Sequence, residues 1–277
     1  MPASRTASPL RCGINAGFGE PLAHEVAGLR EHRYTTVRQD LQFVSNPTTL
    51  TMLLRDLRFS DICPLWIMRE PQISFAQADE LVELCNEPNL NGYTPEQYAA
   101  LWNRVAPATL ARGVTLFAGS ISNLDRAGLD WLKRAWRCFS PTPTHVSVHR
   151  YPENGGFSEP HKGFKNREQE VDALRQIIGS ATLSVTEFGY HTARRTWRGF
   201  WPLRPWTDEQ VMSFSMQEWQ FWSDMKAESA YIYQLNDSPT NREERYGVRR
   251  LEGTWKPVSK AHYYVSSSLS SSAFQYK

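Results

Sequence analysis

Two glutamates follow directly on short apolar runs in the 277-residue chain. Glu87 lies in the segment 84–89 (LCNEPN), and Glu187 lies in the segment 185–190 (VTEFGY). Two carboxyl groups that converge can cleave a glycosidic bond, because a protonated carboxyl assists the leaving oxygen while an ionised carboxylate attacks the anomeric carbon. A single glutamate at a strand end is usually a solvated loop residue or a helix cap. The surrounding elements therefore decide whether these two glutamates can act together.

Eight apolar runs of strand length recur along the chain, each followed by a segment with helical spacing. They cover residues 12–16, 34–39, 62–68, 81–85, 114–118, 145–149, 183–186 and 230–235. Continuous apolar runs are typical of parallel strands covered on both faces. Eight such units predict an α/β fold, a single (β/α)8 TIM barrel, which needs about 250 residues. The count places Glu87 at the end of strand four and Glu187 at the end of strand seven, on the face where barrel enzymes place their chemistry.

Helix start signals support this alternation. Thr94 followed by Pro95 predicts an N-cap and a first helical position, and Thr207 followed by acidic residues predicts another start. The third unit is the weakest. Only residues 71–79 separate its strand from the fourth, which leaves room for a short or irregular helix.

The pattern indicates one domain without an internal linker. We expect a flexible N-terminus at 1–10, the catalytic barrel at 11–265 and a Ser-rich C-terminal tail at 266–277. The first ten residues lack the apolar region of a secretory signal, which predicts a cytoplasmic protein or release by a route without a signal peptide.

Composition excludes several classes of partner. The net charge is +2 with acidic and basic residues interspersed, whereas a nucleic-acid-binding protein concentrates Lys and Arg on one face. No apolar stretch of 18 residues occurs, so no membrane span is predicted. The four cysteines have no CxxC spacing, which argues against a zinc site. We expect a monomer without a cofactor, a metal, a nucleic acid or a membrane partner.

The two glutamate segments resemble the catalytic motifs of the clan A glycoside hydrolases. In that clan of (β/α)8 barrels, the acid/base glutamate ends strand four and the nucleophile glutamate ends strand seven. The segments 233–237 (YQLND), 246–248 (YGV) and 255–257 (WKP) resemble the last strand and helix entry of family thirty-nine-like members. The strand count, which did not use the motifs, agrees with these positions.

The resemblance implies roles for residues around the pair. Glu87 would be the acid/base, Glu187 the nucleophile, and Asn86 a hydrogen-bond partner of the sugar 2-hydroxyl. Arg38 on strand two matches the arginine near the nucleophile, and the His149-x-Tyr151 pattern on strand six matches a histidine and a tyrosine whose hydroxyl contacts the nucleophile. A cation and a hydroxyl beside Glu187 would keep it ionised, whereas Glu87 needs a raised pKa.

Each helper residue has a structural alternative. Arg38 could pair inside the barrel with Glu83, which shares the inward face of strand four with Glu87. His149 could be a strand-end histidine without substrate contact, and Tyr151 could shape the turn at Pro152.

Aromatic residues near the strand ends are candidates for sugar stacking. Tyr233 and Gln234 occupy the strand-eight region where many clan members have a tryptophan floor. Trp66 at the end of strand three is a stacking candidate that could equally belong to the core. The loop after strand seven adds Trp197, Trp201 and Trp206, and the loop after strand six adds His161 and Lys162 as weaker substrate contacts.

Together these features predict a retaining glycoside hydrolase that cleaves β-glycosidic bonds in an oligo- or polysaccharide through a covalent glycosyl-enzyme. The long aromatic loops favour a cleft and endo-action. A non-catalytic carbohydrate-binding barrel is the alternative, with the same aromatic cleft but no need for both carboxylates. A metal-dependent barrel hydrolase is a further rival, although only strand six ends in histidine.

Overall fold

A computed structural model describes most of the chain. The described residues are 10–16, 26–41, 48, 51–52, 55, 61–152, 156–192, 195–197, 201–203, 205–237 and 245–263. Residues 1–9 of the predicted N-terminal segment 1–10 and the whole predicted tail 266–277 lie outside these residues. Within them, no helix is long and apolar enough to cross a membrane.

Eight parallel strands close into a barrel. They are β1 (Arg11–Asn15), β2 (Thr36–Asp40), β3 (Cys63–Met68), β4 (Leu81–Leu84), β5 (Thr115–Ile121), β6 (His145–Arg150), β7 (Thr182–Phe188) and β10 (Ser229–Ile232). The order around the barrel is β1-β10-β7-β6-β5-β4-β3-β2, with β1 paired to β2. The predicted single (β/α)8 barrel is confirmed, and each strand overlaps its predicted apolar run. A two-stranded antiparallel hairpin, β8 (Arg195–Trp197) and β9 (Trp201–Leu203), extends from the loop after β7.

Helices alternate with the strands. They are α1 (Val26–Glu31), α2 (Pro95–Ala111), α3 (Arg126–Trp136), α4 (Arg167–Ile178) and α5 (Asp208–Asp224), with 3-10 turns at Ile73–Phe75 and Pro257–Lys260. Thr94 and Thr207 each form a capping box with the glutamine three residues later, as their sequence context predicts. The third unit contains only the turn Ile73–Phe75, because its connection is too short for a full helix.

The barrel interior changes character along its axis. Near the amino ends of the strands, Leu65, Phe117 and Tyr231 form a small apolar cluster, separate from the large core between strands and helices. The inward positions at the carboxyl ends are polar and include Asn15, Arg38, Glu83, His149 and Glu187. The chemistry-bearing residues therefore lie above an apolar plug that closes the barrel from below.

A second charged cluster lies between β6 and the helices. Arg150 is fully buried and donates hydrogen bonds to Glu170 of α4 and Glu218 of α5, each at 3.2 Å. Arg167 donates to Glu218 at 2.6 Å, and Tyr190 donates to the same carboxylate at 2.6 Å. Two arginines and two glutamates balance in charge, so this cluster ties the helices to the strand without a net buried charge.

Gly13 makes the apolar plug possible. A Cβ atom at this position would lie 2.4 Å from the Tyr231 ring and 2.7 Å from the Thr36 methyl group. We therefore expect Gly13→Ala to lower the free energy of unfolding by about 1–3 kcal/mol, because overpacking forces the ring off its position. Urea denaturation followed by circular dichroism measures this. Ala100→Ser on the exposed face of α2 serves as the control, with a change of about 0.5 kcal/mol or less. Equal stability of the Gly13 variant and wild type would contradict the close packing.

Candidate active site

Strand register brings the predicted site residues together at the carboxyl end of the barrel. Asn15 of β1 pairs in register with Arg38 of β2, and His149 of β6 pairs with Glu187 of β7. Glu83 of β4 lies on the same inner surface. Residues separated by more than a hundred positions in sequence therefore share one polar layer.

Arg38 is the centre of that layer. Its guanidinium is 2 % exposed and donates to Glu187 Oε1 at 2.5 Å and to Glu83 Oε1. It also donates to Asn15 Oδ1 at 2.8 Å and to Asn86 Oδ1 at 2.6 Å. The pairing with Glu83 and the contact with Glu187, stated above as alternatives, therefore both occur. Burial alone would lower the pKa of Arg38, but the two carboxylates raise it.

Glu187 is held from two sides. Arg38 contacts one carboxylate oxygen, and the Tyr151 hydroxyl donates to the other at 2.6 Å. Burial and the charge of Glu187 raise the pKa of Tyr151 well above its usual value, so the phenol keeps its proton and remains a donor. The two donors fix both oxygens of the carboxylate in place, as the attacking role of a nucleophile requires.

Glu87 projects from a sharp turn after β4. The backbone φ angles of Cys85 and Glu87 are 63° and 40°, in the left-handed region that side chains rarely adopt. The turn is fixed where the amides of Leu90 and Asn91 each donate to the Glu87 carbonyl at 2.9 Å. Such backbone strain occurs mainly where a functional side chain must be aimed.

His149 lies between the two glutamates. Its Nδ1 is 3.0 Å from Glu87 Oε1 and 3.5 Å from Glu187 Oε2. Its Nε2 is 3.2 Å from the Ser120 hydroxyl and 3.3 Å from Arg38 Nη2. The ring is fully buried and lies between groups of opposite charge.

The contact with His149 lowers the pKa of Glu87. Burial by itself would raise this pKa, but the hydrogen bond and charge of His149, assisted by Arg38, bring it below its usual value. The contacts within the protein therefore do not supply the raised pKa that a general acid requires. Sequence reasoning missed this because it did not place the imidazole against Glu87.

The two carboxylates are close together. One oxygen of Glu87, one oxygen of Glu187 and one nitrogen of His149 all lie within 4.8 Å of one another. Two carboxylates and an imidazole are also ligand types that divalent transition metals accept. Here, however, Arg38 already presents a cation to Glu187, and its repulsion would oppose a divalent ion at this place.

The remaining predicted residues differ in their surroundings. Tyr233 and Gln234 are buried, and the Tyr233 ring packs edge-on against Tyr151 at 6.2 Å between centroids. Trp66 has no exposed surface and lies in the core outside the barrel, so its ring presents no face to a sugar. Trp66 is therefore a core residue, and the prediction that it stacks on a sugar is wrong, because β3 directs this side chain towards the helices.

The loop residues are less informative. His161 is buried, with Nε2 3.1 Å from the Tyr151 carbonyl, so it supports Tyr151 rather than facing solvent. Lys162 is exposed. Trp206 packs edge-on against Phe214 at 5.0 Å. Trp197 and Trp201 lie opposite each other in the hairpin, but their side chains lie outside the described part of the structure.

Sequence reasoning did not assign two polar residues of this layer. Asn15 accepts from Arg38 and donates to the Thr186 carbonyl at 2.9 Å, next to the nucleophile. Ser120 donates to Glu83 at 3.0 Å and contacts His149. Both are polar residues at the carboxyl ends of apolar strands, and that position was the available signal.

Comparison with known proteins supports the fold. No protein-family model matches the chain, and no curated protein does. Among solved structures, the chain is similar to a family 128 (subgroup VI) exo-β-1,3-glucanase from Aureobasidium namibiae. The TM-score is 0.63 at 12% identity, over 91% of this chain and 95% of that one.

Two further solved structures show the same likeness. A Bacteroidetes-affiliated family 5 cellulase has a TM-score of 0.61 at 12% identity, with 92% of this chain and 89% of that chain covered. AbfB, a family 51 α-L-arabinofuranosidase from Bifidobacterium longum, has a TM-score of 0.59 at 14% identity, with 95% and 74% covered. These glycoside hydrolases share the barrel fold with the chain. Since the likeness spans several families, the family thirty-nine-like grouping stays a prediction.

His149→Leu tests the electrostatic role of the imidazole. Removing the hydrogen bond leaves burial to dominate, so we expect the pKa of Glu87 to rise relative to wild type. Titration of ¹³C-labelled glutamate carboxyl groups by NMR measures the shift, with the Glu87 signal assigned from Glu87→Gln. His145→Asn, at the half-buried start of the same strand, is the control and should leave that signal unchanged. A fall in the pKa of Glu87 on removing His149 would contradict this account.

Proposed function

We propose that the chain is a glycoside hydrolase that cleaves β-linked oligo- or polysaccharides by double displacement with retention. Glu187 is the nucleophile, and Glu87 is the general acid and then the general base. The observation that carries this proposal is the approach of Glu87 and Glu187 across the mouth of the barrel. Retaining glycosidases have carboxyl groups about 5–5.5 Å apart, whereas inverting enzymes need about 6.5–9.5 Å to admit water. Oxygens within 4.8 Å support the retaining geometry.

The surroundings of Glu187 suit the attacking role. Donors at 2.5 Å and 2.6 Å from Arg38 and Tyr151 hold both oxygens in place and favour the charged form. Fixing the carboxylate against the anomeric carbon lowers the entropic part of the barrier. The negative charge of the attacking Glu187 carboxylate is neutralised when its ester bond to the sugar forms.

His149 can accommodate both protonation states of Glu87. With Glu87 ionised, Nδ1–H donates to it. With Glu87 protonated, its hydroxyl donates to Nδ1, while Nε2–H donates to Ser120, whose own hydrogen already goes to Glu83. The two arrangements differ in which ring nitrogen of His149 carries the hydrogen.

The lowered pKa of Glu87 beside His149 suits the second half of the reaction. A bound sugar removes water from Glu87 and leaves it beside the negative Glu187, and both effects favour the proton needed for acid catalysis. Once Glu187 is esterified, its charge is gone and the His149 hydrogen bond again favours ionised Glu87, now as the base that activates water.

Asn86 is placed to hold the reacting sugar. Its Oδ1 accepts from Arg38 at 2.6 Å, which directs the two Nδ2 hydrogens away from the guanidinium. Those hydrogens suit the 2-hydroxyl, a contact that strengthens towards the transition state. The sequence resemblance and the exo-β-1,3-glucanase neighbour support a β-linkage in this proposal. The α-L-arabinofuranosidase neighbour shows that the barrel also serves another linkage.

Substituting the two glutamates tests the assignment. We expect Glu187→Gln to lower hydrolysis of the substrate by roughly 10³-fold or more, because the nucleophile is lost. Glu87→Ala should lower kcat/KM strongly for poor leaving groups and little for 2,4-dinitrophenyl glycosides, because a dinitrophenolate leaves without a proton. The kcat for 2,4-dinitrophenyl glycosides should still fall, because the glycosyl-enzyme has lost the base that activates water. Steady-state rates on a panel of aryl β-glycosides and polysaccharides measure both effects.

Glu168→Gln, an exposed glutamate of α4, is the matched control and should retain wild-type rates. Unchanged activity of Glu187→Gln would remove the nucleophile assignment. Binding of oligosaccharides without any hydrolysis would favour the non-catalytic barrel. Loss of activity in excess chelator would favour a metal-dependent hydrolase.

The stereochemistry of the product tests double displacement directly. Two successive inversions at the anomeric carbon give net retention, so the first product released from a β-glycoside should be the β-anomer. Proton NMR recorded within minutes of mixing separates it from the slowly formed α-anomer. Initial release of the α-anomer would show single displacement.

A further inference from the structure

A pocket lies beside the polar layer, at the carboxyl ends of β3 and β4. Its volume is about 480 Å³, within the range of small-molecule sites. Its lining includes Arg69, Cys85, Asn86, Asn91, Tyr93 and Gln97. Asn86 also accepts from Arg38 and directly precedes Glu87 in the sequence, so the pocket adjoins the turn that carries Glu87.

The lining has one cation and no carboxylate. Arg69 is exposed, and among the described residues its guanidinium makes no ion pair. The neighbouring Glu70 is already engaged by Arg104, which donates to Glu70 Oε2 at 2.7 Å. Burial raises the pKa of the Cys85 thiol to about 11, and the Arg69 charge is the largest influence opposing it. The positive charge therefore acts inside the pocket.

The other polar groups are held in fixed positions. Asn91 Nδ2 donates to the Asn86 carbonyl at 2.8 Å, and Gln97 Oε1 accepts from the Thr94 amide at 2.9 Å in the capping box. Asn91 Nδ2 also donates to the Glu87 carbonyl at 3.2 Å, so its amide hydrogens are used within the turn. The Arg69 guanidinium is therefore the group of the lining that suits a planar or tetrahedral anion, and the Gln97 amide hydrogens are not used in the capping box.

We propose that this pocket binds a negatively charged group, a uronate carboxylate or a sulfate ester, on a sugar of the chain held in the active site. The proposal rests on the glycosidase function proposed above and names its substrate class. Arginine suits this role because its fork of N–H groups binds such oxyanions in pairs.

A substrate series with one backbone tests the proposal. The panel contains β-glucan, β-mannan and β-xylan. In each polymer the primary hydroxyl groups or the side-chain sugars are left neutral, oxidised to carboxylates or sulfated. Wild type should cleave a charged form with the higher kcat/KM. Arg69→Gln should lose about 10- to 100-fold on that form and stay within twofold on the neutral one. A larger loss on the carboxylated form identifies a uronate, and a larger loss on the sulfated form identifies a sulfate ester.

Arg137→Gln is the matched control, since it removes one exposed arginine that does not line the pocket. Equal losses on neutral and charged forms for Arg69→Gln, or the same selective loss for Arg137→Gln, would overturn the proposal. So would a wild-type preference for neutral polymers.

Calorimetric binding of glucuronate and sulfated oligosaccharides to wild type and Arg69→Gln separates this proposal from the proposed function. If no polymer is cleaved but charged oligosaccharides bind in an Arg69-dependent manner, the pocket stands and the hydrolase assignment fails. If neutral polymers are cleaved in a Glu187-dependent manner and charged ones gain nothing from Arg69, the hydrolase assignment stands and the pocket proposal fails.

Discussion

The upper half of the barrel depends on one buried cation. Arg38 lies between Glu83 and Glu187, and it is the only arginine or lysine among the described residues of this polar layer. A buried ion pair contributes little by itself, but removal of one partner leaves an uncompensated charge that is strongly destabilising. Asn15 and Asn86 complete the coordination of the guanidinium. Glu187 and the two asparagines are therefore positioned with respect to this side chain.

Stability and chemistry occupy different levels of the same barrel. The apolar plug of Leu65, Phe117 and Tyr231 closes the lower level, and the polar layer lies above it. Polar groups can be concentrated at the mouth because the plug and the outer core supply the apolar burial. The charged groups there satisfy one another through hydrogen bonds instead of water. Changes in the loops above the mouth can alter the substrate without disturbing the plug.

The fold was predictable because its signals are local and repeated. Each of the eight apolar runs and the two helix start signals can be recognised within a short segment of the sequence. Counting the runs placed Glu87 and Glu187 at the ends of strands four and seven. Contacts made across the barrel could not be predicted from the sequence. The sequence does not show that Arg38 bonds two glutamates at once, that Trp66 faces the helices, or that His149 lowers the pKa of Glu87. Those features depend on side-chain direction and distance.

Two adjacent residues of strand β6 place titratable or charged side chains on its two opposite faces. His149 faces the glutamates of the mouth, and Arg150, the next residue, faces Glu170 and Glu218 among the helices. A slip of one residue exchanges the two faces of a strand. It would bury an arginine among the wrong neighbours and leave two helix glutamates without their partner. The alternation of His149 and Arg150 therefore disfavours a shifted register of β6 during folding. The correct register is the one on which the geometry of the polar layer depends.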